Sequence, residues 1–269
     1  MPSFVHLSEG LKLRVCGFLD LRSLFDFRQT SRPHLEVVAT ELQGRLTAHI
    51  GTFVPHPQVL LEKLTAYGGV VGGEVALAFL LRHTDFTPTS LDLYLPVGLE
   101  SWIRFENHLI YDQWAIPERG FPLLQTQPLS RLVRKPSPGR GIRTAARFSL
   151  NMGSPEHVVE RTVNLFRSQS SDPLVPISQG RATHLLAYAN LDHLGCGYPL
   201  LLLNHRSLMG TGPRDENELI SLDIARGIDF GLSATKWPDI SLIACGAPQW
   251  LCPSQTRSFN DCGSLYARS

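Results

Sequence analysis

The sequence predicts an α+β protein, with a three-helix module at the N-terminus followed by a mixed β-sheet domain with flanking helices. Three observations predict it. Residues 7–48 carry apolar side chains at helical spacing in short, separately capped runs. Residues 68–96, "GGVVGGEVALAFLLRHTDFTPTSLDLYLP", run as strand, glycine pair, helix, turn and strand, a βαβ-like order. A further strand-like run, "GIRTAARFSL", follows at 141–150. The expected division is a helical module over 1–50, an α/β domain over 58–235 and an irregular tail over 236–269, with "GTFVPHPQ" at 51–58 as linker.

Bulk composition bounds the function. The 269 residues are 43% hydrophobic and 18% charged, values of a folded rather than a disordered chain. A net charge of +1 gives no long-range field for nucleic acid or anionic lipid. No apolar run nears the roughly 20 residues that span a bilayer, and "YPLLLLNH" reads as a buried strand. No basic region followed by an apolar stretch opens the chain, so an intracellular protein of cytoplasm or nucleus is expected. The five cysteines, at 16, 196, 245, 252 and 262, form no Cys-x-x-Cys and are expected as reduced thiols without a metal.

In the first module Leu7, Leu11, Val15, Phe18 and Leu19 step by 4, 4, 3 and 1 and line one face of a helix. Asp20 turns the chain, and Leu21, Leu24 and Phe27 form a second amphipathic segment. Ser31 caps a third helix with Pro33 in its first turn, where a missing N–H costs little. Leu35, Val38, Leu42 and Leu46 make its apolar stripe. Three helices this short bury little surface and are marginal unless docked on something.

Leu7-Ser8, Leu11, Leu13-Arg14-Val15, Phe18-Leu19-Asp20, Ser23-Leu24, Phe27-Arg28 and Thr30-Ser31-Arg32 resemble an F-box, which commonly runs Leu-Pro-x-Glu-Leu-Leu and then Ile-x-x-Phe-Leu. Ser8, Gly10 and Lys12 depart from that pattern, and Gly10 inside the first helix costs on the order of 1 kcal/mol relative to alanine. The resemblance implies docking onto the Skp-type adaptor of an SCF ubiquitin ligase, through Leu7, Leu11, Val15, Phe18, Leu19, Leu24 and Phe27 as apolar anchors. The competing reading is that these side chains only pack against the rest of the chain.

In the second module a helix is expected from Gln58 to Ala66. Val70-Val71 then form a strand, Gly72-Gly73 turn into a helix over 74–81, and Asp85 to Thr89 turn the chain again. In "SLDLYLP", Leu91, Leu93 and Leu95 share one face and Ser90, Asp92 and Tyr94 the other. This resembles the nucleotidyltransferase fold, in which a glycine pair at a helix N-terminus approaches a triphosphate and strand carboxylates hold two divalent metals. The resemblance implies Gly72, Gly73, Ser90 and Asp92 as nucleotide-binding positions, with magnesium as cofactor only if transfer chemistry survives. Ser90 stands where the first aspartate belongs, and the expected third strand at 141–150 offers Arg143 and Arg147 but no carboxylate. One carboxylate cannot hold two metals. Asp92 is therefore also readable as a member of a structural polar network, and Asp85 as a distant substitute ligand.

Together, the order of these elements over roughly residues 7–235 resembles fungal F-box-like proteins with a degenerate nucleotidyltransferase-type middle domain. "SWIRFENHLIYDQWA" at 101–115 is expected as a helix burying Trp102, Phe105, Leu109 and Ile110. "RLVRKPSPGRGIR" at 131–143 is expected as a solvated basic loop, with phosphate binding or nuclear import as further readings. "SPEHVVERTVNLF" carries a helix-start signal. His184, His193 and His205 have no metal spacing, and no Gly-x-Ser-x-Gly occurs. A short strand around Ile240–Ala244 and an irregular last 20 residues complete the reading. The expected function is an F-box-type adaptor that joins an unknown target to an SCF ligase, with no catalytic residues and no cofactor. The alternative is a nucleotide-binding or nucleotidyl-transferring enzyme with an appended helical module, and a third reading is an interaction protein that has lost both roles.

Overall fold

The N-terminal helices form where their caps allow. In the computed structural model, which describes residues 7–82, 86–118, 141–154, 157–180, 182–209, 227–241, 259–261 and 263–268, they are α1 (Glu9–Gly17), α2 (Leu21–Arg28) and α3 (Arg32–Gly51). The Asp20 carboxylate accepts from the Ser23 amide at 2.7 Å, and the Ser31 hydroxyl accepts from the His34 amide at 3.4 Å. Val38, Leu42, Leu46 and Ile50 bury the inner face of α3 against Cys16, Leu21 and Leu24, while Leu35 stays on the outside.

This cluster does not end with the helices. It runs through α4 (Pro57–Ala66; Leu60, Leu61, Leu64) and α5 (Gly73–Leu81) into the inward side chains of the sheet, so the N-terminal module shares its core with the α/β part. Phe53 and Val54 are fully buried, so the stretch expected as a linker is a packed corner. A polar clasp reinforces the junction. Arg82, at φ 57°, has a side chain with no exposed surface. Its guanidinium donates to Leu19 O at 2.7 Å, Cys16 O at 2.9 Å and Glu41 Oε1 at 2.7 Å, while Arg45 donates to Arg82 O at 2.9 Å. Two of those acceptors lie at the end of α1, where carbonyls have no helical partner. A left-handed non-glycine residue costs about 1–3 kcal/mol, and the hydrogen bonds offset it.

The sheet has eight strands in the order β10-β7-β6-β1-β2-β5-β4-β3. They are β1 (Val70–Gly72), β2 (Ser90–Leu95), β3 (Ile116–Pro117), β4 (Ile142–Ser154), β5 (His157–Ser168), β6 (Ala187–Ala189), β7 (His193–Cys196) and β10 (Leu265–Arg268). β8 (Arg206–Leu208) and β9 (Asp229–Gly231) form a separate parallel pair. The β2–β5 pair is parallel and its neighbours antiparallel, so the class is α+β with a large mixed sheet. Helices α3 to α5 and α6 (Leu99–Asn107) lie on the face of Leu91, Leu93 and Leu95. The other face carries a smaller cluster with Ile177 of α7 (Leu174–Ser178) and Leu201 of α8 (Pro199–Leu202). Among the described residues no helix is long and apolar enough to cross a membrane.

Several local expectations are corrected. β1 and β2 pair antiparallel, not as a parallel βαβ crossover. α5 follows β1 with no intervening loop. "HVVERTVNLF" is strand β5, not helix. Its β-branched residues suit a pleated surface, and a twelve-pair antiparallel ladder with β4 overrides the local Ser-Pro-Glu signal. "PLLL" is a helical turn, not a strand, since Pro199 sits in its first turn. Pro238–Ser241 is likewise helical where a strand was expected, and Leu265–Arg268 is an edge strand on β7 within a tail expected to be irregular. The helix at 101–115 ends in a π-helical turn, His108–Asp112. Asp85, residues 131–140, 242–244 and Cys245, Cys252 and Cys262 lie outside the described residues.

Candidate functional site

Two places fit the site residues that the sequence singles out. The first is built on the polar face of β2. Gly72 stands in register with Asp92, and α5 begins at once with Gly73 at φ 61°. A Cβ on Gly73 would lie 2.3 Å from Asp92 Oδ2. Only glycine lets the carboxylate lie this close to the first turn of α5, where unpaired N–H groups favour negative charge.

Asp92 is held from the side as well. Ser90 Oγ donates to Asp92 Oδ1 at 3.3 Å, and Asn164 Nδ2 donates to the same oxygen at 2.7 Å. Asn164 is the β5 residue in parallel register with Asp92, and Arg147 is the β4 residue opposite Asn164. Arg147 Nε donates to Asn164 Oδ1 at 3.0 Å, so the amide relays between cation and carboxylate. Glu74, in the first turn of α5, accepts from the Thr89 amide at 2.5 Å and its hydroxyl at 2.9 Å. Tyr94 closes one end of the face by stacking on Phe166 at 4.9 Å.

Burial pushes the Asp92 carboxyl above the ordinary carboxylate range, and the Glu74 charge adds to this. The hydrogen bonds from Asn164 and Ser90 and the Arg147 charge work against it. Burial also holds the Tyr94 phenol well above its usual range.

The chemistry of this row is limited. Across the positions that face one another, Ser90, Asp92 and Asn164 offer one carboxylate, one hydroxyl and one amide. Two divalent metals need several anionic oxygens, so these residues do not fit the pair that the transferase resemblance implies. Among the described residues no cluster of three His, Cys, Asp or Glu side chains is placed to hold a metal ion. A phosphate approaching the start of α5 would meet the Asp92 carboxylate already there. Asn164 was hidden from the sequence reading because its segment carries a helix-start signal. The alternation Val163, Asn164, Leu165 is the signal that places it on a strand face.

The second place is the outer face of α1. Leu11, Val15 and Phe18 lie at i, i+4 and i+7 and are 48%, 41% and 78% exposed. Cys16 points inward and Leu13 packs on the core, so α1 is apolar on both sides, and among the described residues the inner side is the covered one. The other anchor positions sit differently. Leu7 is half-buried, Leu19 and Phe27 pack against the core from its margin, and Leu24 is fully buried. Leu24 therefore holds α2 in place and has no surface to offer a partner.

Two of the histidines that the sequence singles out have polar neighbours. His184 is buried with Nδ1 at 2.8 Å from Ser207 Oγ, and His193 Nδ1 is 3.2 Å from Asn190 Oδ1. No family model matches the chain, and neither a curated protein nor a solved structure is similar to it.

Proposed function

We propose that the chain is an intracellular F-box-type adaptor: α1 docks a Skp-type adaptor of an SCF ubiquitin ligase, and the sheet domain presents a recruitment surface rather than an active site. The observation that carries this reading is the exposed stripe of Leu11, Val15 and Phe18. Scattered exposed apolar residues need no explanation, but three in line on one helix face fit helix-in-groove docking. The F-box-like residue order of the same helices supports it. The single carboxylate among Ser90, Asp92 and Asn164, tied to Arg147 through an amide, speaks against nucleotidyl transfer.

Titration calorimetry of the full chain with a recombinant Skp-type adaptor tests the reading. Wild-type protein is expected to bind, and Leu11→Asp with Phe18→Asp to abolish binding at an unchanged melting temperature, because few residues carry most of an interface's energy. Absence of heat with the wild-type chain overturns the proposal.

A further inference from the structure

The outer stripe borders a groove of about 680 Å³ between α1 and α3. One wall is the C-terminal half of α1, with Leu13, Arg14, Gly17 and Phe18. The floor is a single face of α3, where Arg45, Ala48, His49 and Thr52 follow one another at helical spacing. Two small residues keep it open. A Cβ on Gly17 would meet nothing within 4 Å, and Ala48 is exposed.

The groove has a definite chemistry. Leu13 and Phe18 supply its apolar surface. Arg14 and Arg45 are cations, and Glu41 is the one acid in the lining. That acid is already engaged: its carboxylate takes Arg82 Nη2 at 2.7 Å and lies 3.6 Å from Arg45 Nε. Because the buried Arg82 neutralises Glu41, the groove retains an excess of positive charge beside an apolar wall. Burial, and after it the nearby Arg45 charge, hold His49 toward its neutral form.

We infer that the α1–α3 groove docks an acidic, leucine-bearing helical segment of a partner protein, with an apolar side chain between Leu13 and Phe18 and a carboxylate on Arg14 and Arg45. The occupant follows from charge complementarity: an acidic segment satisfies the arginines as its apolar side covers Phe18, whereas a basic one would desolvate like charges. This deepens the adaptor proposal and rests on it only for the partner's identity.

The probe is a labelled helical peptide of about 15 residues with leucines along one face and glutamates beside them, read by fluorescence polarisation against the full chain. The acidic peptide is expected to bind about tenfold more tightly than the same peptide with lysine for glutamate. Gly17→Leu, whose side chain enters open space, should abolish binding without lowering the melting temperature. Arg14→Glu, at an exposed residue with no ion pair among the described residues, should reverse the preference toward the lysine peptide. Equal binding of the two peptides, or unchanged binding by a folded Gly17→Leu protein, overturns the inference. A Skp-type adaptor that binds wild type and Gly17→Leu alike overturns the groove assignment but leaves the adaptor proposal standing. Retained acidic preference without adaptor binding does the reverse.

Discussion

The outer face of α1 and the polar face of β2 are opposites in how they treat their own chemistry. On α1, apolar side chains that the fold could have covered are left in water, with Phe18 78% exposed. On β2, polar groups that could have met a ligand meet each other, from Arg147 through Asn164 to Asp92. Exposed apolar surface is a cost that a partner removes. A half-buried carboxylate already supplied with donors gains little from further binding. The contrast is what supports the proposal of interaction on the helical module and architecture on the sheet, and it turns on which groups meet a neighbour, not on which motif a segment resembles.

The clasp that joins the two regions should give the largest effect. Arg82→Met leaves Glu41 with only the more distant Arg45 and uncaps the end of α1. A loss of about 3–5 kcal/mol is expected in denaturant unfolding, and a loss below about 1 kcal/mol would mean the two parts are not held through this residue.

Next comes the split between two residues of the same module. Leu24→Ala removes a fully buried side chain and should cost about 2–5 kcal/mol. Phe18→Ser, on the exposed face, should stay within about 0.5 kcal/mol of wild type. Thermal or denaturant melts of both proteins check it, and equal losses would erase the distinction between core and exposed positions.

The β2 face can be sharpened by giving it charge. Ser90→Asp with Asn164→Asp places three carboxylates where one now stands. Melting should fall in chelator through like-charge repulsion and recover with magnesium, by about 2.7 kcal/mol at a hundredfold excess over the dissociation constant. Wild type should not respond, and a magnesium-dependent rise in wild-type melting would contradict the neutral-network reading.

The smallest expected effect is a pH dependence. The folded-state pKa of Asp92 lies above its unfolded value, so the folded state holds the proton more tightly. Its contribution to stability is greatest below the ordinary carboxylate range and declines as pH rises through the raised folded value. Asp92→Asn should therefore be more stable than wild type at neutral pH, with the difference closing in acid. Urea titrations at several pH values read the sign, and a gap that widens in acid would reverse it.

The legible parts of the sequence were those where local chemistry and tertiary need agree. Asp20 and Ser31 cap the helices they announce, and the alternation of Leu91, Leu93 and Leu95 is the buried face of β2. Helix α4 begins at Pro57, one residue before the expected start. The reading failed where a distant strand decided the outcome. Residues 157–168 follow the helix-start signal Ser154-Pro155-Glu156 but are a strand because β4 and β2 pair with them on both sides. That error hid Asn164, and with it the third member of the β2 row. Leu24 was read as an anchor because apolar spacing gives the face of a helix but not which neighbour covers it.

Hydrogen exchange of the full chain with and without a Skp-type adaptor tests the contrast most directly. Protection is expected to rise over residues 9–18 and to stay unchanged over 70–95. Protection confined to 70–95, or none anywhere, would contradict the assignment of docking to α1.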